Sequence, residues 1–126
     1  MSISEAESQI MRVLWESGPT AGEDIIRKVS LVNDWTEGTI RTLISRLIQK
    51  KAIKSRKEGG RAIYQALIDE ADYIHAESQS LLDRLFNGEV APLVAHLAKH
   101  RALSAKDLRK LKKLLAELGN DRGGEA

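Results

Sequence analysis

Between Thr36 and Leu67 the hydrophobic pattern changes period once, and this change narrows the fold more than any other feature of the 126 residues. Ile40, Leu43, Ile44, Leu47 and Ile48 recur three and four positions apart, which puts them on one face of a helix running to about Lys51. Thr36 is suited to cap that helix, and Trp35 before it to staple onto Ile40. From Ile53 the period becomes two. Ile53, Ser55 and Lys57 alternate with Lys54 and Arg56, Gly59-Gly60 supplies a turn that tolerates positive φ, and a second run, Ala62 to Leu67, returns. The pattern predicts a helix followed by a β-hairpin with a basic tip.

Two shorter helices are expected before it. Ser4 and Glu7 form a capping-box pair ahead of Ala6, Ile10, Val13 and Leu14, and Gly18-Pro19 stops the run. Thr20 and Glu23 repeat the capping-box spacing ahead of Ile25, Ile26 and Val29, and Leu31 to Asp34 reads as the turn into the third helix. Three helices, the second and third joined by a short turn and followed by a hairpin, make a winged helix-turn-helix. In that arrangement the third helix enters the DNA major groove. Its exposed face carries Thr39, Thr42 and Arg46 along one row, with Arg41, Ser45 and Gln49 beside it. A solvated helix face usually carries Glu and Lys, whereas short hydroxyls let a helix approach another surface closely.

Charge placement points the same way. Residues 41 to 61 hold eight basic side chains (Arg41, Arg46, Lys50, Lys51, Lys54, Arg56, Lys57, Arg61) and one acid, Glu58. The rest of the chain holds twelve basic and seventeen acidic groups, so a net charge of +2 conceals a basic patch on an acidic background. Such a patch is the electrostatic footprint of a phosphate-binding surface.

After Asp69 the sequence turns continuously helical. A fourth helix with Ile74, Leu81, Leu82, Leu85 and Phe86 ends at Asn87-Gly88. A fifth contains Leu93, Val94 and Leu97, and Ser104 caps a sixth whose Leu108, Leu111, Leu114, Leu115 and Leu118 form a broad stripe before Gly119. A stripe that wide at the end of a small chain marks a subunit interface. The expected class is mainly α with a minor β component: a winged-helix DNA-binding domain over residues 1–68, a helical dimerisation domain over 69–119 and a disordered tail over 120–126. The absence of cysteine removes disulfides and thiolate metal sites. No apolar run approaches the roughly 20 residues of a membrane span, and the first helix leaves no room for a signal peptide. A cytoplasmic protein without membrane insertion is expected.

Three stretches carry a family resemblance over nearly the whole chain: SEAESQIMRVLWESGPTAGEDI, TIRTLISRLIQKKAIKSRKEGGRAIY and LLDRLFNGEVAPLVAHLAKHRALSAKDLRKLKKLL. The sequence resembles the penicillinase repressor (BlaI/MecI/CopY) family. The resemblance implies a homodimeric winged-helix repressor whose three C-terminal helices intertwine with those of a partner. It also implies an inverted-repeat operator with TACA and TGTA half-sites, bound so as to block promoter access. Inducible members of the family are inactivated by a membrane sensor protease that cuts within the fifth helix, commonly at an Asn-Phe bond; the matching positions here are His96 and Leu97. The copper-responsive branch uses C-terminal cysteine motifs, which this chain lacks.

The residues expected to meet DNA are Thr39, Arg41, Thr42, Ser45 and Arg46 on the helix, with Lys50, Lys54, Arg56, Lys57 and Arg61 in and around the wing. The expected dimer contacts are Leu82, Leu85, Phe86, Leu93, Leu97, Leu108, Leu111, Leu115 and Leu118. His96 and His100 are spaced i, i+4, but zinc needs a third protein ligand and the nearest acids, Glu89 and Asp107, are not at helical spacing with them. Solvated or interface histidines are the better reading. Trp15 and Trp35 are expected to be structural. No GxSxG, HExxH or Walker loop occurs, so neither an enzyme nor a cofactor is expected. Two other classes use this scaffold: a regulator released from DNA by a small molecule bound between wing and dimer helices, and a protein-interaction module.

Overall fold

Ser4 closes the first turn of α1 (Glu5–Ser17): its hydroxyl accepts the Glu7 N–H at 3.0 Å, while the Glu7 carboxylate accepts the Ser4 N–H at 2.8 Å. Gly18, at φ 74°, ends the helix. This capping box is the one the sequence predicts. The computed structural model describes residues 2–121.

Thr20, in contrast, does not cap the second helix. Thr20–Ala21 forms β1, and α2 (Gly22–Val32) starts behind Ala21 with no side-chain cap. The Thr20 hydroxyl donates to the Gly18 carbonyl at 2.8 Å. A local cap is worth about 1 kcal/mol. Here the backbone pairs instead with a strand far along the chain, Thr20 opposite Tyr64 and Ala21 opposite Ile63. Gly22 packs under the same tyrosine: a Cβ there would come within 3.1 Å of the Tyr64 ring. The helix also runs to Val32, shortening the expected turn before α3 (Glu37–Gln49).

Thr36 caps α3 as expected, its hydroxyl accepting the Thr39 N–H at 3.1 Å. Ile40, Leu43, Ile44 and Leu47 are buried, but Ile48, expected on the same face, is 39% exposed in the last turn. The chain then leaves the helix through Lys51, which adopts φ 62°. β2 (Ile53–Glu58) and β3 (Arg61–Ala66) pair antiparallel from Ile53 opposite Ala66 to Glu58 opposite Arg61. Gly59 and Gly60 join them at φ 60° and 79°, the two positive values that a tight two-residue hairpin needs. The sheet order is β1-β3-β2. Ile10, Met11, Leu14, Ile25, Val29, Ile40, Leu47 and Ile53 form one core under the helices and sheet. Both tryptophans pack against it. Trp15 donates its indole N–H to the Ile68 carbonyl at 2.9 Å and lies 5.2 Å from the Tyr73 ring.

The described residues divide into two compact units between His75 and Ala76, within α4 (Glu70–Leu85). The second unit holds the rest of α4, α5 (Val90–Lys99) and α6 (Ala105–Asp121). Asn87 and Gly88, at φ 54° and 80°, turn the chain after α4, and the Gly88 N–H returns to the Leu82 carbonyl at 2.9 Å. Ser104 caps α6 by accepting the Asp107 N–H at 3.0 Å. The helix passes through Gly119, so Asn120 and Asp121 are helical where a tail is expected; the remainder of that tail, 122–126, lies outside the described residues. Leu82 is buried, and Leu81, Phe86, Leu93, Leu97 and Leu111 are half-buried. Leu85, Leu108, Leu114, Leu115 and Leu118 stay between 43% and 64% exposed. Among the described residues no helix is long and apolar enough to cross a membrane.

Candidate nucleic-acid interface

The core takes up Ile40, Leu43, Ile44 and Leu47 of α3, and this leaves Thr39, Arg41, Thr42, Ser45 and Arg46 exposed together on the other side. The hydroxyls are not equivalent. Thr39 is drawn into the cap, its Oγ1 accepting from the Thr36 hydroxyl at 3.1 Å. Thr42 donates to the Gly38 carbonyl at 2.9 Å, so it offers a neighbour an acceptor and a methyl group rather than a donor.

The cations also differ in what they already hold. Arg41 is paired with Glu37 one turn earlier, Nε to Oε2 at 3.0 Å. Arg56 pairs with Glu58 at 3.1 Å and reaches the Gln65 amide oxygen at 3.3 Å, which keeps its charge on the hairpin surface. Arg61 pairs with Glu23 at 2.7 Å and lies 3.5 Å from Asp24, tying the start of β3 to the first turn of α2. All three pairs are exposed and worth little in stability. Arg46, Lys54 and Lys57 have no ion-pair partner among the described residues, and all three are exposed. Of the residues expected to meet DNA, they are the cations immediately available to an anionic ligand.

Lys50 departs from the set. Its ammonium donates to the Glu7 carboxylate at 2.5 Å and to the Ser2 carbonyl at 2.8 Å. Glu7 itself is 1% exposed. Burial pushes that carboxyl up, but hydrogen bonds from Lys50 and from Ser4, with the charge of Lys50, together hold it below the ordinary carboxylate range. The sequence places Glu7 in a capping box but does not reveal its burial or its distant partner. Glu37 and Arg41, at i and i+4, are a pair that spacing alone could have found; Glu23 and Arg61 are not.

In the second unit, His96 and His100 stand with ring centroids 4.5 Å apart, and Phe86 lies 6.3 Å from His96. Both histidines are exposed, while Leu97 is half-buried within α5.

The helix, hairpin and basic surface agree with what comparison with known proteins finds. The family model described as penicillinase repressor matches residues 3–117. The penicillinase repressor of Bacillus licheniformis is 35% identical over 118 residues, covering 94% of this chain and 92% of its own. The methicillin resistance regulatory protein MecI of Mammaliicoccus sciuri is 29% identical over 113 residues, covering 90% and 92%. Among solved structures, that of the Bacillus licheniformis BlaI monomer in complex with the blaP half-operator is similar at a TM-score of 0.53 and 37% identity, covering 58% of this chain and 89% of that one. The solution structure of the DNA-binding domain of the repressor BlaI matches at a TM-score of 0.53 and 38% identity, covering 57% and 88%.

Proposed function

Because the chain belongs to the penicillinase repressor family and is a DNA-binding transcriptional repressor, we propose that it acts as a homodimer on a palindromic operator. Each protomer lays α3 in the major groove, with Thr39, Arg41, Thr42, Ser45 and Arg46 toward base edges and the nearest phosphates. The hairpin runs along the adjacent backbone, where Lys54, Arg56, Lys57 and Arg61 meet phosphates. A two-fold protein presents two identical reading heads, which is why the operator is an inverted repeat. The observation that carries this reading is the exposed Thr/Arg face of α3 standing opposite an apolar face buried through Ile40, Leu43, Ile44 and Leu47.

The exposed leucines of α4 and α6 supply the dimer contact, so that residues 69–119 serve as the dimerisation domain and set the spacing of the half-sites. Cytoplasmic DNA is the partner. Release follows proteolysis in α5 at His96-Leu97 by a membrane sensor protease: a cut there weakens the dimer and removes the second half-site's contribution to affinity. A bond inside a hydrogen-bonded helix resists a protease, so cleavage needs local opening of α5.

Fluorescence anisotropy of the purified chain against DNA from its own upstream region and a scrambled duplex, at several salt concentrations, tests the proposal. Dimer-stoichiometric binding on the order of 10⁻⁸ M to the first duplex, with a clear gap to the second, is expected. Equal, salt-sensitive binding to both would reduce the interface to a basic patch. No binding to either would favour a protein-interaction module, and a small molecule that both stabilises the chain and releases DNA would favour ligand control over proteolysis.

A further inference from the structure

The charge pattern groups Lys50 with the cations of the wing, yet its ammonium is directed at α1. Lys50 is the C-cap of α3, and Glu7 lies in the first turn of α1, 43 residues away in sequence. The second carboxylate oxygen of Glu7, Oε2, is buried with no hydrogen-bond partner among the described residues. A carboxylate this enclosed is costly unless a cation stays with it. Lys50 supplies that cation, and the Ser2 carbonyl takes a second of its protons at 2.8 Å. Withdrawing Lys50 toward a phosphate would leave a buried charge behind.

The rest of α3 meets the core through Ile40, Leu43, Ile44 and Leu47. Close packing of these side chains seats the helix against the core, but none of the four makes a directional bond there. A charge-assisted hydrogen bond to a buried acceptor has a definite position. A helix that reads base edges needs its side chains held to about 0.5 Å.

The geometry points to Glu7 and Lys50 as positioning residues for DNA recognition: Lys50 acts through the pose of α3, not by touching a phosphate, and Glu7 is the anchor. The inference rests on α3 being the DNA-reading helix.

The test uses the full chain, a short duplex carrying a TACA–TGTA inverted repeat and a scrambled duplex, with affinities measured across salt concentrations and melting followed by circular dichroism. Lys50→Gln is expected to lose about tenfold in affinity for the repeat. Its salt slope and its binding to the scrambled duplex stay as in the unaltered chain. Adding Glu7→Gln to Lys50→Gln is expected to restore most of the loss, because two neutral amides can hydrogen-bond and no buried charge is stranded. A phosphate contact would behave otherwise: equal loss on both duplexes, a salt slope lower by about one ion per protomer, and no recovery in the double variant. That result overturns the inference. So does a Lys50→Gln protein that melts earlier but binds the repeat as the unaltered chain does, since the pair would then serve stability alone. Should Lys50→Gln fail to fold, the double variant decides: unchanged slope and discrimination support the inference, and a slope lower by about one ion overturns it. An unaltered chain that cannot tell the duplexes apart would bring down the repressor reading itself, an outcome visible before any variant is compared.

Discussion

Arg41 donates its Nε–H to the Glu37 carboxylate at 3.0 Å, so one of the two arginines on the exposed face of α3 is already neutralised, while Arg46, little more than a turn later, has no such partner among the described residues. A free and a tethered arginine side by side give the face an internal control.

Glu37→Gln removes the carboxylate that competes with DNA for Arg41. Affinity should rise by about threefold on the repeat and on the scrambled duplex alike, more at low salt, since an exposed pair is worth about 0.2–1 kcal/mol. Anisotropy titrations at two ionic strengths check this; an unchanged affinity at low salt would mean that Arg41 stays away from the nucleic acid.

Arg46→Ala should cost about 1–3 kcal/mol per protomer and narrow the gap between specific and scrambled DNA if the side chain reaches a base. Lys54→Ala and Lys57→Ala should instead weaken both duplexes together and lower the salt slope by about 0.9 per contact. A wing variant that changed sequence preference would contradict this division.

The lowered pKa of Glu7 makes stability depend on acid in a definite direction. The unfolded carboxyl, near its ordinary value of about 4.3, takes up a proton before the folded one does. The stabilisation is therefore present above that value and is lost as pH falls through the lower folded pKa. Urea unfolding between neutral pH and pH 3 should show Glu7→Gln losing less stability on acidification than the unaltered chain. Parallel curves for the two proteins would remove Glu7 from the acid response.

Lys51 sits at φ 62°, where a Cβ costs roughly 1 kcal/mol or more. Lys51→Gly should stabilise the fold by up to about 1 kcal/mol, the looser unfolded chain offsetting part of the gain. Denaturant midpoints at constant slope would measure it, and a destabilised variant would show that the lysine side chain contributes more than its backbone costs.

Leu111 is half-buried and Leu115 is 64% exposed. Leu111→Asp with Leu115→Asp puts two charges on the leucine stripe of α6 and should yield monomers by sedimentation, with weakened binding to the two-site operator. A double variant that still sedimented as a dimer would move the interface off α6.

Most of the architecture was legible locally. Ser4 with Glu7, Thr36 and Ser104 mark helix starts because a capping side chain bonds to backbone within three residues. Gly59-Gly60 marks the hairpin because the turn needs positive φ at both positions. Where the reading went astray, the cause was distant. Thr20 looks like a cap, and only Tyr64, arriving on β3, turns its segment into a strand.

The candidate site divides the same way. Periodicity determined that Ile40, Leu43, Ile44 and Leu47 are buried and hence that Thr39, Arg41, Thr42, Ser45 and Arg46 face outward, because helical spacing assigns sides without help from the rest of the chain. Charge counting determined that the wing is basic. Only the tertiary structure decided which of those charges are spoken for: Arg61 by Glu23, 38 residues away, and Lys50 by a buried Glu7. Sequence lists a side chain's charge, but its availability depends on which groups the fold brings within hydrogen-bonding reach and on how far they are removed from water.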